Sequence, residues 1–305
     1  MQDTLVIPGS NRGAPVPWWM KIAAKLVLSR LPVPHSVWSK LDIFRHSYSS
    51  GDPDQQVESI LARVSLLEEI TGRRPRSVLE LGPGEITACA VAYKALGVER
   101  IIFVDVGDFG SVDMEAYNRV AAAAVRRGLT PPDLRGAADR AEIFARCGVE
   151  YHVNGLADLR RLPAASVDLV TSVAVLEHVR RHELGETLCE LRRIMTDDGL
   201  AWHGIDFQDH LGGKLANLRF STAIWENPLM AGAGFYTNRV SPSHAIQLLE
   251  STGLNVTVES RILWPEPAIA RRQMARDLRA EWTDADLRIC SMSLSARASQ
   301  GRPLA

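Results

Sequence analysis

Residues 77–81 and the turn that follows them limit the fold more than any other part of the sequence. Three of these five residues are apolar, and Gly82 and Gly84 come directly after them, which predicts a short buried strand ending in a glycine turn. Residues 86–96 are rich in alanine and are followed by Gly97, so they predict a helix. A glycine turn between a strand and a helix presents backbone N–H groups, and the helix dipole adds partial positive charge. The stretch therefore predicts a site for a carboxylate or a phosphate.

The glycine spacing argues against a dinucleotide-binding fingerprint. That fingerprint needs a third glycine for close packing of helix on strand, but Ile86 and Thr87 occupy its place. A nicotinamide oxidoreductase is therefore the disfavoured alternative.

A second predicted strand, residues 100–105, ends in Asp105. This residue lies 21 positions after Gly84, the separation that brings the end of the second strand beside the first turn in a βαβ unit. A carboxylate there can accept hydrogen bonds from the two vicinal hydroxyls of a ribose. The two strand ends together predict a nucleoside site.

Strands and helices continue to alternate further along the chain. Residues 151–153, 166–172 and 200–206 predict three more strands with helices between them. Alternation of this kind predicts an α/β fold with a doubly wound, mostly parallel sheet, whose ligands bind beyond the carboxyl ends of the strands. The polar and glycine residues expected on that rim are Gly82, Gly84, Asp105, Glu177, His178, Asp206 and His210.

Several short motifs make the reading more specific: Ser166-Val167-Asp168, Val175-Leu176-Glu177-His178-Val179, and Leu191 to Met195 followed by Asp198-Gly199. With the glycine turn and Asp105, they resemble the motifs of class I methyltransferases that use S-adenosyl-L-methionine (SAM). The resemblance covers residues 77–206 and is nearest to the methyltransferase type 11 enzymes, many of which act in glycan or natural-product pathways. It implies a seven-stranded Rossmann-like sheet whose last, antiparallel strand lies within residues 286–297.

The resemblance also implies which residues bind SAM. In the family the acid at position 105 binds the ribose, the two glycines line the methionine moiety, and the loop at 155–158 flanks the adenine. This chain has Leu156 where the family often has Asp, and Asp158 is displaced by two positions, so a side-chain contact to adenine is not implied. The implied cofactor-binding residues are Glu80, Gly82, Gly84, Asp105, Val106, Leu156, Ala157 and Ser172.

A hydroxyl acceptor must lose a proton when it is methylated, so a base is expected near the cofactor. His178 is the first candidate, because it follows the fourth strand on the rim and imidazole titrates near neutrality. The alternative is a histidine that only packs or caps a helix start. Asp206 and His210 are the other catalytic candidates. Glu177-His178 also resembles a Glu-x-x-Glu-His metal motif, but Ala174 replaces its first glutamate, and no metal is predicted.

The expected activity is transfer of a methyl group from SAM to a small molecule, with S-adenosyl-L-homocysteine (SAH) as the product. The favoured acceptor is a hydroxyl of a sugar, a glycan precursor or a secondary metabolite. N-methylation of a small molecule and a non-catalytic SAM-fold scaffold are the alternatives. A formal net charge of −1 gives no general attraction to nucleic acid.

The remaining segments predict the domain organisation. Residues 1–72 are expected to form a helical N-terminal extension, with a loose tail over 1–16, and residues 73–305 the SAM-binding domain, with a lid-like insertion at about 208–239. The segment 17–31 is a basic amphipathic helix that either packs on the domain or contacts an anionic membrane. Further helices are expected over 54–70, closed by Gly72, over 134–147 and over 271–281.

Four scattered cysteines, no signal-peptide pattern and no run of eighteen apolar residues predict a cytoplasmic protein.

Overall fold

The computed structural model describes residues 2–5, 20, 22, 52–212 and 214–299. Most of the predicted helix 17–31, and residues 6–16 of the predicted tail, lie outside the described residues. Ile22 is described and is buried, in a cluster with Leu211, Trp225 and Phe235. Ile22 therefore packs on the domain, which is the first of the two alternatives for this segment.

The centre of the fold is one eight-stranded sheet with the order β1-β7-β8-β6-β5-β2-β3-β4. Strand β8 runs antiparallel to β6 and β7, and the other neighbouring pairs are parallel. The strands are β1 (Gln2–Leu5), β2 (Ser77–Leu81), β3 (Arg100–Val104), β4 (Val149–His152), β5 (Val167–Val173), β6 (Met195–Asp206), β7 (Leu254–Leu263) and β8 (Ile289–Ala298). The mostly parallel α/β sheet of the prediction is confirmed, with one strand more than the expected seven.

The additional strand is β1, in a segment that the sequence predicted to be part of a loose tail. Gln2–Leu5 pairs in parallel with residues 260–263 of β7 and so covers an edge that would otherwise expose unpaired backbone groups. Four residues with little apolar content are too short a pattern to predict a strand. The pairing depends on the partner edge, which is formed about 260 residues later in the chain.

Helices connect the strands and cover both faces of the sheet. They are α1 (Pro53–Thr71), α2 (Cys89–Ala95), α3 (Met114–Arg126), α4 (Arg140–Cys147), α5 (Leu156–Leu159), α6 (Arg181–Ile194), α7 (Thr222–Trp225), α8 (Pro228–Ala231) and α9 (Pro242–Ser251). Within the described residues, short 3-10 turns lie at Ala216–Arg219, Arg271–Gln273, Arg276–Leu278 and Asp286–Arg288. Helix α1 starts at a proline capped by Asp52 and ends at Gly72, whose φ is 74°.

Alternation along the strands divides the core into two layers. Leu79, Val170 and Ala201 lie in the layer under α6 and α9, whereas Val78 and Leu169 lie in the layer under α1 to α4. Helix α1 belongs to the second layer through its buried apolar residues, so it packs on the same sheet that carries the glycine turn. The domain boundary at residue 72 stays a prediction.

Three predicted helices differ from the observed ones. Helix α2 starts at Cys89 rather than 86, because residues 83–89 form successive tight turns. Helix α4 starts at Arg140 rather than 134, because Gly136 has a φ of 73° and Asp139 caps the helix. The predicted helix 271–281 is wrong: the segment forms two 3-10 turns that bury Met274 and Leu278 against Trp264 and Trp282. In the last case tertiary packing outweighs helix propensity, whereas the starts of α2 and α4 are set by local turn and capping residues.

No helix in the described part of the chain is both long and apolar enough to cross a membrane. The four cysteines all fall within that part and have free thiols.

Candidate active site

The glycine turn after β2 has the backbone conformation and the space that a ligand site needs. The N–H of Gly82 donates to the carbonyl of Val104, at 2.7 Å, and its φ is +63°. A Cβ built on Gly82 would lie 2.6 and 2.7 Å from the two methyl carbons of Val175, so no side chain fits there. Gly84 has a φ of +54°, and a Cβ built on it meets no atom within 4 Å. The turn is thus closed on one side by Val175 and open beside Gly84.

Asp105 lies next to this turn, as the spacing predicts. Its Oδ2 accepts from the N–H of Gly84 at 3.0 Å, and its Oδ1 accepts from the N–H of Val106 at 2.7 Å. A carboxylate has about four acceptor positions, so these two bonds leave capacity for two more donors. The side chain is buried, and burial raises the pKa of Asp105 above its usual value. Donors from a ligand would offset that cost of desolvation.

The loop between β4 and α5 forms the next part of the rim. The N–H of Gly155 donates to the carbonyl of Asp105 at 2.8 Å, and Leu156 and Ala157 follow on the same rim. The neighbouring Val106 is 79% exposed, which leaves an apolar side chain open beside the loop. Asp158 instead folds back and accepts two hydrogen bonds from Asn154, each at 2.9 Å.

Glu80 and Ser172 lie below the rim, inside the core. The Glu80 carboxylate accepts from the hydroxyl of Tyr93 at 2.6 Å and lies 3.7 Å from the guanidinium of Arg63. The Ser172 hydroxyl is fully buried, 2.8 Å from Nδ1 of His203, and burial lowers the pKa of His203 to about 4. These side chains have internal partners, so their contact with a cofactor stays a prediction.

His178 and His210 meet on the rim. Their Nε2 atoms are 3.2 Å apart and their rings are nearly parallel, with centroids 4.9 Å apart. Nδ1 of His178 lies 2.9 Å from the carbonyl oxygen of Tyr236, which can only accept. In a neutral imidazole this contact places the proton on Nδ1 and leaves Nε2 as the acceptor. His178 is exposed, and the turn that carries it begins at Val175, the residue that closes the glycine turn.

Two buried carboxyl groups lie behind the histidines, around a cavity of about 20 Å³. Burial, and then the charge of Asp206, raise the pKa of Glu177 well above its usual value, which favours the neutral acid. Burial raises the pKa of Asp206 to about 6. Oε1 of Glu177 accepts from the backbone N–H of Asp206 at 3.3 Å, and Asp206 accepts from the N–H of Gln208 at 2.9 Å. His203 faces Ser172, whereas Asp206, the last residue of β6, lines the cavity.

The raised pKa of Asp206 gives a prediction about stability. An acid with a folded-state pKa above its unfolded value binds more protons in the folded state, so the free energy of unfolding falls as the pH rises from about 4 to about 6. Asp206→Asn removes this cost while keeping the oxygen that accepts from Gln208. We expect the variant to be more stable than wild type by about 1–3 kcal/mol at pH 7.5 and equal to it near pH 4. Urea unfolding across this pH range measures both, and a difference independent of pH would contradict the burial argument.

The residues that hold the His178 turn are not predicted by the sequence. Tyr236 and Asn238 contact it from the segment before α9, and Val175 closes the glycine turn. The first two lie about 60 positions further along the chain, so no local pattern links them to His178. No group of three or more metal-ligating side chains occurs among the residues that the structure describes.

The Methyltransf_11 family, described as a methyltransferase domain, matches residues 111–202. No curated protein sequence matches the chain.

Among solved structures, a SAM-dependent methyltransferase from Archaeoglobus fulgidus is 16% identical with a TM-score of 0.44, over 85% of this chain and 98% of that one. One from Mesorhizobium loti is 16% identical with a TM-score of 0.42, over 79% of this chain and 95% of that one. An O-methyltransferase family protein from Burkholderia thailandensis is 15% identical with a TM-score of 0.42, over 92% and 72%. Residues 111–202 are thus similar to a family of methyltransferase domains, within the stretch 77–206 whose motifs resemble those of class I SAM-dependent methyltransferases.

Proposed function

We propose that the protein methylates a hydroxyl group of a small molecule, a sugar, glycan precursor or secondary metabolite, with His178 as the base. The observation that carries the proposal is the contact of 2.9 Å between Nδ1 of His178 and the carbonyl of Tyr236. It gives an exposed imidazole on the rim one defined acceptor nitrogen, Nε2. A hydroxyl needs such a base, whereas a neutral amine does not.

The residues around the glycine turn fit SAM. Gly82 and Gly84 line the place for the methionine moiety, which is open beside Gly84. Asp105 has acceptor capacity for the ribose hydroxyls, and Val106 with residues 155–157 offers an apolar edge for adenine. When bound, SAM supplies a methyl group already activated on a sulfonium. The protein therefore has two tasks, to align the acceptor and to remove its proton, and alignment alone can contribute about 7–11 kcal/mol.

His178 removes the proton from the acceptor hydroxyl. Its Nε2 lies 3.2 Å from Nε2 of His210, which acts as the donor when both rings are neutral. An acceptor hydroxyl would take the place of that donor and pass its proton to Nε2. The resulting imidazolium keeps its Nδ1–H on the carbonyl of Tyr236, which stabilises the charge. A positioned base of this kind contributes roughly 10²–10⁴-fold to the rate.

The test is SAH release from SAM in the presence of matched acceptors. Methyl α-D-glucoside, glycerol and catechol present hydroxyls, and glucosamine and benzylamine present amines. Turnover with hydroxyl acceptors that His178→Gln abolishes supports the proposal. Turnover confined to the amines favours N-methylation, and SAM binding without turnover on any acceptor favours the scaffold alternative.

Asp105→Ala tests the cofactor site. The variant removes the acceptor for the ribose and also releases the N–H of Gly84. We expect the affinity for SAM to fall by about 1–3 kcal/mol, roughly 5- to 150-fold, as measured by calorimetry.

Asp108→Ala is the matched control. It lies three positions further on the same loop, and its carboxylate pairs with Arg140 at 2.7 Å. Its effect on SAM affinity should be small. Equal affinities for SAM in wild type and in a folded Asp105→Ala variant would refute the ribose assignment.

A further inference from the structure

We infer that Asn238 is a positioning residue, which sets the orientation and the tautomer of His178 by fixing the turn on which His178 lies. The inference rests on the proposed role of His178 as the base and extends it to a residue that touches neither cofactor nor acceptor. Asn238 is 3% exposed and lies in the segment between α8 and α9.

The side chain of Asn238 uses all its hydrogen-bonding groups on backbone partners. Nδ2 donates to the carbonyls of Leu176, at 2.7 Å, and Val179, at 3.0 Å, which lie on either side of His178. Oδ1 accepts from the N–H of Val240 at 3.1 Å. The amide orientation is unambiguous, because the two carbonyls need a donor and the N–H needs an acceptor.

Backbone groups of the same segment also contact the His178 turn. The N–H of Asn238 donates to the carbonyl of Glu177 at 2.7 Å, and two residues earlier the carbonyl of Tyr236 lies 2.9 Å from Nδ1 of His178. The distance between the histidine ring and its orienting carbonyl thus depends on how the two segments are held together. The Asn238 amide supplies two of the three hydrogen bonds that Asn238 makes to residues 176–179. Asparagine is suited to this place because its short side chain carries two N–H donors and an acceptor.

The first measurement needs no acceptor. Ring ¹⁵N chemical shifts of His178 in the full-length protein report which nitrogen carries the proton. Wild type should show the Nδ1–H form, and Asn238→Ala should show a loss of that form in favour of Nε2–H. Asn217→Ala is the control: it removes another buried amide, from the 3-10 turn Ala216–Arg219, and this amide donates to Thr237 rather than to the His178 turn. It should leave the His178 shifts unchanged.

The second measurement is a double-mutant cycle on single-turnover SAH formation, with methyl α-D-glucoside, glycerol or catechol as the acceptor. Asn238→Ala should lower the rate at least tenfold with SAM affinity within about twofold of wild type, and it should cause no further fall in a His178→Gln background. Asn238→Ser, which keeps one donor, replaces the alanine variant if that variant does not fold.

An unchanged tautomer in the Asn238 variant, or an equal loss of rate with and without His178, would overturn the inference. If His178→Gln itself turns over normally, the proposed base is wrong, and the ¹⁵N shifts still decide whether Asn238 positions the ring.

Discussion

Gly82→Val is expected to abolish SAM binding, with a loss of affinity of at least 10²-fold, while the protein stays folded. The residue has a φ of +63°, which costs a side chain about 1–2 kcal/mol. Its Cβ would also lie 2.6 Å from a methyl carbon of Val175, and such overpacking costs about 1–3 kcal/mol. The sum is below the usual stability of a domain, about 5–15 kcal/mol. We expect the turn to move in order to relieve the clash. This movement would displace its N–H groups and the hydrogen bond from Gly84 to Asp105.

Two further sets of variants separate the effect of backbone strain from that of the clash with Val175. Gly97→Ala measures the backbone strain alone, because Gly97 has a φ of +88° and a Cβ there meets nothing within 4 Å. Gly82→Ala combined with Val175→Ala removes the two contacts below 3 Å, leaves one of 3.3 Å to the Cβ of residue 175, and keeps the backbone strain, so it should bind SAM more tightly than Gly82→Ala alone. Calorimetry with SAM and thermal unfolding measure the two quantities. If Gly82→Val binds SAM as wild type does, Gly82 is only a turn residue.

The parts of the fold that the sequence predicts are those in which the signal is local. The strand before Gly82, the strand before Asp105 and the helix that ends at Gly72 each have an apolar pattern with a boundary residue beside it. Strand β1 and the turns at 271–278 have no such signal. Their conformation is decided by an open sheet edge and by the aromatic cluster around Trp282.

The same distinction between features with and without a local sequence signal applies to the candidate site. The meeting of Gly84 and Asp105 follows from a fixed spacing in a βαβ unit and could be predicted. A family motif does not say which face a strand residue points to, and Glu80 and Ser172 point into the two core layers rather than to the rim. The partners of His178 lie in the long segment between β6 and α9, about 30 to 60 positions further along the chain, so only the folded chain brings them together.

His178→Gln should lower kcat by 10²-fold or more and leave SAM affinity nearly unchanged. Glutamine retains an amide that can donate to the carbonyl of Tyr236, so the turn should stay in place. It has no nitrogen that can accept a proton at neutral pH, and the loss therefore measures proton transfer rather than packing. Rates of SAH formation and calorimetry with SAM measure the two effects separately.

His182→Gln is the control for the replacement of a histidine by glutamine. His182 lies four positions along the chain in the first turn of α6, with its side chain 77% exposed, so kcat should change less than twofold. If His178→Gln turns over at the wild-type rate, proton transfer by His178 is excluded. His210 and Asp206 would then be the next candidates, and the same assay on His210→Gln and Asp206→Asn would decide between them. A hydroxyl methylated at full rate by all three variants would show that removal of its proton does not limit the reaction, because each candidate base would have been removed in turn.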